Sequence, residues 1–276
     1  MKIVGVCRFS YTAIAGWKKT KKGDVKATAS LLYDEQRMRE RFELFESTCL
    51  PSMTSQTDND FKLLIVASLR MPEPYRNHLD DLVSKHPHIE VHYLRPKPMP
   101  AAVTTGLRRV VGSDYTGPVV QFCIDDDDAL SVHYIERLRK ACSSILASEF
   151  APRLPIAYAN PRGITLSKKD GVFSADENFA PFLALGLAII TTGNIPTNVY
   201  VVPHFKTPTR LMSFSDPDPI TYIRGLHDFH DSAGRSVGRT SGLNIERLQE
   251  ILKEEFPFLT QEVLEDVYGY SAATNT

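Results

Sequence analysis

The sequence predicts an α/β protein: a mainly parallel sheet flanked by helices, then a mixed or antiparallel half, then a helical tail. Three observations carry this. Strand-like and helix-like segments alternate through residue 146, the pattern that builds a parallel sheet covered on both faces. After Pro152 the rhythm changes to short strands separated by turn residues. At mid-chain, the apolar run Val119 to Ile124 leads directly into Asp125-Asp126-Asp127-Asp128 and then into a helical pattern.

Taken in order, Lys2 to Cys7 reads as the first strand, with Arg8-Phe9-Ser10-Tyr11 at its carboxyl end. Trp17 to Lys26 is polar and lysine-rich, and Gly16 and Gly23 break it into a loop. Lys18, Lys19, Lys21 and Lys22 there serve either as a solvated charge run or as a contact for an anion. Glu35 to Cys49 is expected to be helical, with Met38, Phe42, Phe45 and Cys49 on one face and Pro51 stopping it. Phe61 to Ala67 is the second strand, Arg76 to Lys85 a helix opened by Pro72 and Pro74, and Ile89 to Leu94 the third strand. A proline-rich turn from Pro96 to Pro100 leads to a short helix over Ala101 to Val111.

The strand over Val119 to Ile124 is bounded by Gly117-Pro118, and the following helix shows Val132, Ile135, Leu138, Cys142, Ile145 and Leu146 at helical spacing. Ile156 to Ala159, Gly163 to Ser167 and Gly171 to Ser174 read as an antiparallel meander. Ala188 to Thr192 and Val199 to Val202 add apolar material, and residues 244–270 finish as two short helices around Pro257. One domain over residues 1–276 is expected, made of a ligand-binding half (1–150), a second half (151–243) and a helical tail (244–276) packed on the first half.

Composition narrows the class. A chain of 276 residues can bury a full core. A formal net charge of −1 gives no global attraction to nucleic acid or an anionic membrane. Cys7, Cys49, Cys123 and Cys142 show no close pairing and read as small core residues of a reducing compartment. Ile3 to Val6 is too short for a signal-peptide core. The longest apolar run, Phe179 to Ile190, is interrupted by Pro181 and Gly186 and is no membrane span. A cytoplasmic protein is the expectation. No G-x-G-x-x-G or P-loop pattern occurs, which argues against dinucleotide enzymes and Walker-type NTPases.

The acidic turn is the candidate site, because open α/β sheets bind ligands at the carboxyl ends of their strands. Adjacent carboxylates repel, so four together need a cation, hydrogen-bond donors or free solvation. Mg²⁺ bound to a diphosphate meets that need, since it takes one or two carboxylates plus phosphate oxygens. A bland alternative is that Asp127 or Asp128 caps the following helix. An EF-hand loop is excluded: Glu136 stands twelfth from Asp125, but Ala129 and Leu130 occupy places that want an oxygen ligand and the turn glycine.

The alternating first half, the mid-chain acidic turn and the mixed second half together resemble a GT-A glycosyltransferase, in which an Asp-x-Asp motif after a central strand binds the metal of a nucleotide-sugar complex. Asp125 and Asp127 match that motif. The chain is most similar to the bacterial rhamnosyltransferase family, over about residues 1 to 240. The matching stretches are Arg8-Phe9-Ser10, Tyr33-Asp34-Glu35 with Arg37, Arg41-Phe42, Asp125 to Asp128, and Arg224-Gly225-Leu226-His227.

The resemblance implies Mn²⁺ or Mg²⁺ held by Asp125 and Asp127, with His227 (or else His230) completing the shell. It implies a UDP- or dTDP-sugar donor meeting Arg8, Phe9, Ser10, Asp125 and Asp126, and a saccharide or other hydroxyl acceptor. An inverting enzyme would need one base, and Asp176, Glu177, Asp216 and Asp218, all on expected loops, are the candidates. Two other classes compete. A nucleotidyltransferase acting on sugar phosphates lacks support because no glycine-rich phosphate loop follows the first strand. A non-catalytic metal- or nucleotide-binding protein would use the acidic turn only as a cap or cation site.

Overall fold

A computed structural model describes residues 1–14, 23–169, 172–226 and 238–270. The expected α/β class holds, with a mostly parallel central sheet between helices. In it β1 (Lys2–Arg8) pairs in parallel with β2 (Lys62–Ser68) and with the middle strand β4 (Pro118–Asp125), and β3 (Ile89–Leu94) extends the β2 side. Beyond β4 the direction reverses. β9 (Ala188–Thr192) runs antiparallel between β4 and β6 (Ile156–Ala159), and β10 (Met212–Ser215) ends the sheet parallel to β6. Strands covered on both faces must be apolar throughout, and β1, β2 and β4 are buried at nearly every position.

One face of this sheet packs on α2 (Glu35–Leu44), α3 (Leu50–Thr54), α4 (Glu73–Val83) and α6 (Tyr134–Leu146), through residues such as Met38, Met53, Leu79 and Leu138. The other face packs on α5 (Met99–Val111) through Ala102, Val103 and Leu107. The short α1 (Val25–Leu32) precedes α2, and the side chains of Asp24 and Asp34 cap the two helices by accepting from Ala27 and Arg37 N–H groups.

A second sheet has the order β12-β8-β7-β11-β5. It comprises β5 (Ala129–Leu130), β7 (Arg162–Lys169), β8 (Val172–Phe179), β11 (Tyr222–Leu226) and β12 (Arg239–Gly242). The tail helices α7 (Ile245–Glu255) and α8 (Gln261–Tyr268) bury Leu248, Ile251, Leu252 and Leu264 against Ile164, Leu166, Ala175 and Ile223 of this sheet.

Several sequence expectations are corrected. The helix begun at Glu35 does not stop at Pro51: a π turn over Phe45–Cys49 carries it into α3, where Pro51 sits in the first turn. Pro51 has no N–H to give the ladder, and it falls directly after the π turn, where the Leu50 N–H reaches five residues back to the Phe45 carbonyl. The meander is broken, since Ile156–Ala159 joins the first sheet and only β7 and β8 form an antiparallel pair. The tail packs mainly on the second sheet, not on the first half, because that sheet presents the apolar face α7 and α8 need.

Candidate active site

β4 delivers Asp125 at its last residue, half-buried, while Asp126, Asp127 and Asp128 follow at 4–5% exposure. A buried run of carboxylates requires counter-charge, and α2 supplies it. Arg41, itself 4% exposed, places Nη1 2.8 Å from Asp126 Oδ1 and 2.8 Å from Asp127 Oδ2. On the other side, Asp128 Oδ1 accepts from the Gly225 N–H at 3.2 Å, and the adjacent Arg224 favours its charge. Burial nonetheless dominates. It pushes the Asp126 carboxyl up to about 6 against the pull of Arg41, and it holds Asp128 well above the usual carboxylate range, aided by Asp127 and Asp125.

The cap reading of Asp127 and Asp128 fails. α6 begins only at Tyr134, after β5 and a turn, with His133 at its N-cap. Asp128 is spent on β11 instead. The turn is also packed from beneath. A Cβ on Gly225 would lie 3.1 Å from the Asp127 carbonyl oxygen and 3.4 Å from the Tyr268 ring, so a side chain there would press on the acidic turn. Tyr268, from the tail, meets Thr48 of the π turn with oxygens 3.3 Å apart.

The loop after β1 lies beside this turn. Arg8 stands opposite Asp125 in the β1–β4 register. Ser10 has φ 43°, a strained conformation for a residue with a Cβ. Its Oγ accepts from Arg37 Nη1 at 3.2 Å and its carbonyl from the Tyr33 hydroxyl at 3.1 Å. Phe9, expected at the nucleotide, is fully buried and packs on the rings of Phe42 and Phe45 at 5.0 and 5.1 Å. Asp126, expected at the nucleotide, is ion-paired to Arg41 inside the protein.

Of the four candidate bases, three gather around Arg162. Glu177 Oε1 lies 2.8 Å from Arg162 Nη2, the Asp218 carbonyl accepts from Nη1 at 2.8 Å, and Asp216 Oδ1 accepts from the Asp218 N–H at 3.1 Å. Thr221 ties this group to the segment after the acidic turn, donating to the Arg162 carbonyl and accepting from Ser131 N–H. Asp176 stands apart at the β12 edge, opposite Gly242. Asp176 and Glu177 are on strand β8, not on the expected loops. His227, His230 and Lys18 to Lys22 lie outside the described residues.

All four cysteines are buried and free, as small core residues. Among the described residues, no three His, Cys, Asp or Glu side chains converge as a metal site. Asp125 and Asp127 nevertheless offer the hard oxygens, and the small number of them, that Mg²⁺ or Mn²⁺ takes when phosphates and water fill the rest of its shell. The donor set fits the cation.

Arg41, Arg37 and Tyr268 were not foreseen as site residues. The legible signal for the first is its place inside a buried stripe, one residue before Phe42 and three after Met38, where a charge demands a partner.

The fold is a mostly parallel sheet with helices on both faces and an acidic turn ending its central strand. The match to a family model over residues 2–239 then fixes the relationship: the chain belongs to the family described as "Putative rhamnosyl transferase", a family of glycosyltransferases. No curated protein matches it in sequence. Among solved structures it is similar to S. aureus TarS 1–349 in complex with UDP-GlcNAc, at 12% identity and TM-score 0.45, covering 85% of this chain and 62% of that one. It is also similar to the mannosyltransferase PcManGT from Pyrobaculum calidifontis in complex with GDP-Man and Mn²⁺, at 11% identity and TM-score 0.43, covering 83% of this chain and 58% of that one. The chain thus spans about three fifths of the length of these two structures. Among the described residues, no helix is long and apolar enough to cross a membrane.

Proposed function

We propose that this protein transfers a sugar from a nucleoside-diphosphate donor to a hydroxyl acceptor, with a divalent cation between the acidic turn and the diphosphate. The observation that carries the reading is the half-buried Asp125 at the carboxyl end of the central strand, facing Arg8 in register and followed by carboxylates whose charge the protein itself balances. Asp125 and Asp127 would hold the cation, which offsets charge on the departing diphosphate and orients the donor. Arg8 adds a positive charge beside Asp125, suited to a phosphate oxygen.

The acceptor hydroxyl needs a carboxylate to take its proton. Asp216 and Asp218 suit that role better than Glu177, whose carboxylate is held in an ion pair with Arg162. Rhamnose, the sugar in the family's description, is the first donor to test, as a dTDP- or UDP-linked sugar. The unit of function is proposed to be one domain, with the tail helices part of it.

The test is a thermal shift with UDP and dTDP, each with Mn²⁺ and with excess EDTA. A rise in Tm that requires Mn²⁺ is expected, since a ligand binding only the folded state stabilises it by mass action. An equal rise in EDTA would rule out the cation bridge, and no rise under any condition would rule out the nucleotide site.

A further inference from the structure

The two arginines of α2 reach two different loops. Arg37 and Arg41 are four residues apart and therefore lie on one helix face. Arg37 Nη1 donates to Ser10 Oγ at the end of β1, and Arg41 Nη1 meets both Asp126 and Asp127 at the end of β4. The helix that carries them is anchored by Met38 and Phe42, buried in the main core. Directly after it comes the π turn, a rare helical irregularity found often at functional sites. It brings Thr48 to Tyr268, under the acidic turn.

We propose that Arg41 is the positioning residue of the donor site. It clamps Asp126 inward and fixes the rotamer of Asp127, and α2 acts as a strut holding the acidic turn in register with the Ser10 loop. The proposal rests on the donor-site reading above and assigns a residue outside it. The chemistry is that of a single buried cation shared by two adjacent carboxylates. A buried carboxylate without a partner is costly and relaxes toward water or protonates, so loss of Arg41 releases the turn. One nitrogen, Nη1, makes both of these contacts. A lysine ammonium, with three donors on one nitrogen, can replace that contact better than it replaces a bidentate pair.

The experiment compares wild type, Arg41→Lys, Arg41→Met, Asp126→Asn and the Arg41→Met/Asp126→Asn double variant. Each is measured by urea denaturation and by calorimetric titration with UDP in the presence of MnCl₂. Arg41→Met is expected to lower the denaturation midpoint and to weaken UDP–Mn²⁺ binding at least tenfold, with Arg41→Lys within about threefold of wild type. The double variant should regain much of the midpoint, because the uncompensated carboxylate is gone, while its affinity stays low because Asp127 still lacks its clamp. A merely structural arginine predicts that affinity returns together with stability, and that result overturns the proposal. Unchanged affinity in a folded Arg41→Met protein overturns it as well. If wild type itself binds no UDP, the donor-site reading fails. Arg41 then keeps at most a structural clamp, shown or refuted by non-additivity of the Arg41 and Asp126 substitutions in denaturation.

Discussion

Glu255, at the last residue of α7, tests whether the tail belongs to the same folding unit as the acidic turn. The residue is 8% exposed, and its carboxylate receives two hydrogen bonds from Arg137, Nη1 to Oε2 and Nη2 to Oε1, each 2.7 Å, and one from the Ser131 hydroxyl. Ser131 stands three residues beyond Asp128, so this cluster links the tail to the loop that leaves the acidic turn. Removing one partner of a fully buried pair costs about 3–5 kcal/mol, whereas an exposed pair contributes about 0–1 kcal/mol. The Arg137 side chain is 33% exposed and can turn to water, so Glu255→Ala is expected to cost about 2 kcal/mol, between the two limits. For a domain of this size that is a Tm lower by roughly 4–8 °C.

The pH dependence carries a sign. Burial pushes the Glu255 carboxyl up, but Arg137 and Ser131 outweigh it and hold it below the usual glutamate value. Its contribution is therefore present above the unfolded-state pKa, about 4.3, and is lost as pH falls through the lower folded-state value. Urea denaturation of wild type and Glu255→Ala at pH 7 and at pH 3 reads both quantities. The gap should be full at pH 7 and reduced at pH 3. A gap below about 0.5 kcal/mol at pH 7, the scatter of ordinary surface substitutions, or one equal at both pH values, would refute the tie between tail and turn.

The remaining predictions concern the site itself. Among Asp176→Asn, Glu177→Gln, Asp216→Asn and Asp218→Asn, one variant should lose sugar transfer by orders of magnitude while retaining UDP binding; four active variants would move the base elsewhere. Gly225→Ala should slow transfer about tenfold at a stability change under about 1 kcal/mol, because its Cβ presses on the Asp127 carbonyl; unchanged kinetics would show that the turn has slack. Asp128→Asn keeps an acceptor for the Gly225 N–H and removes a charge that burial disfavours. Stability at pH 7 should therefore hold or rise in urea denaturation, and a large loss would restore a structural need for that charge.

Local pattern made much of this molecule legible. The strands over residues 2–8, 62–68, 89–94 and 118–125 and the helices between them follow from runs of apolar residues and their spacing. So does the place of the acidic turn, because a buried strand must end where its side chains turn charged. The family match spans residues 2–239, which include those stretches. What local pattern could not decide was which distant segments meet. Ile156–Ala159 has the same appearance whether it joins a meander or crosses to β9 and β10. Nothing in the sequence around Phe9 says that it packs on Phe42 and Phe45, which only the folded chain brings to it. Asp128 looks like a helix cap until Gly225, 97 residues later, takes its oxygen. Arg41 finds Asp126 across 85 residues, and Glu255 finds Arg137 across 118. Charge pairing under burial is a property of the assembled interior, where the missing water makes a partner obligatory, and only the tertiary structure says which partner that is.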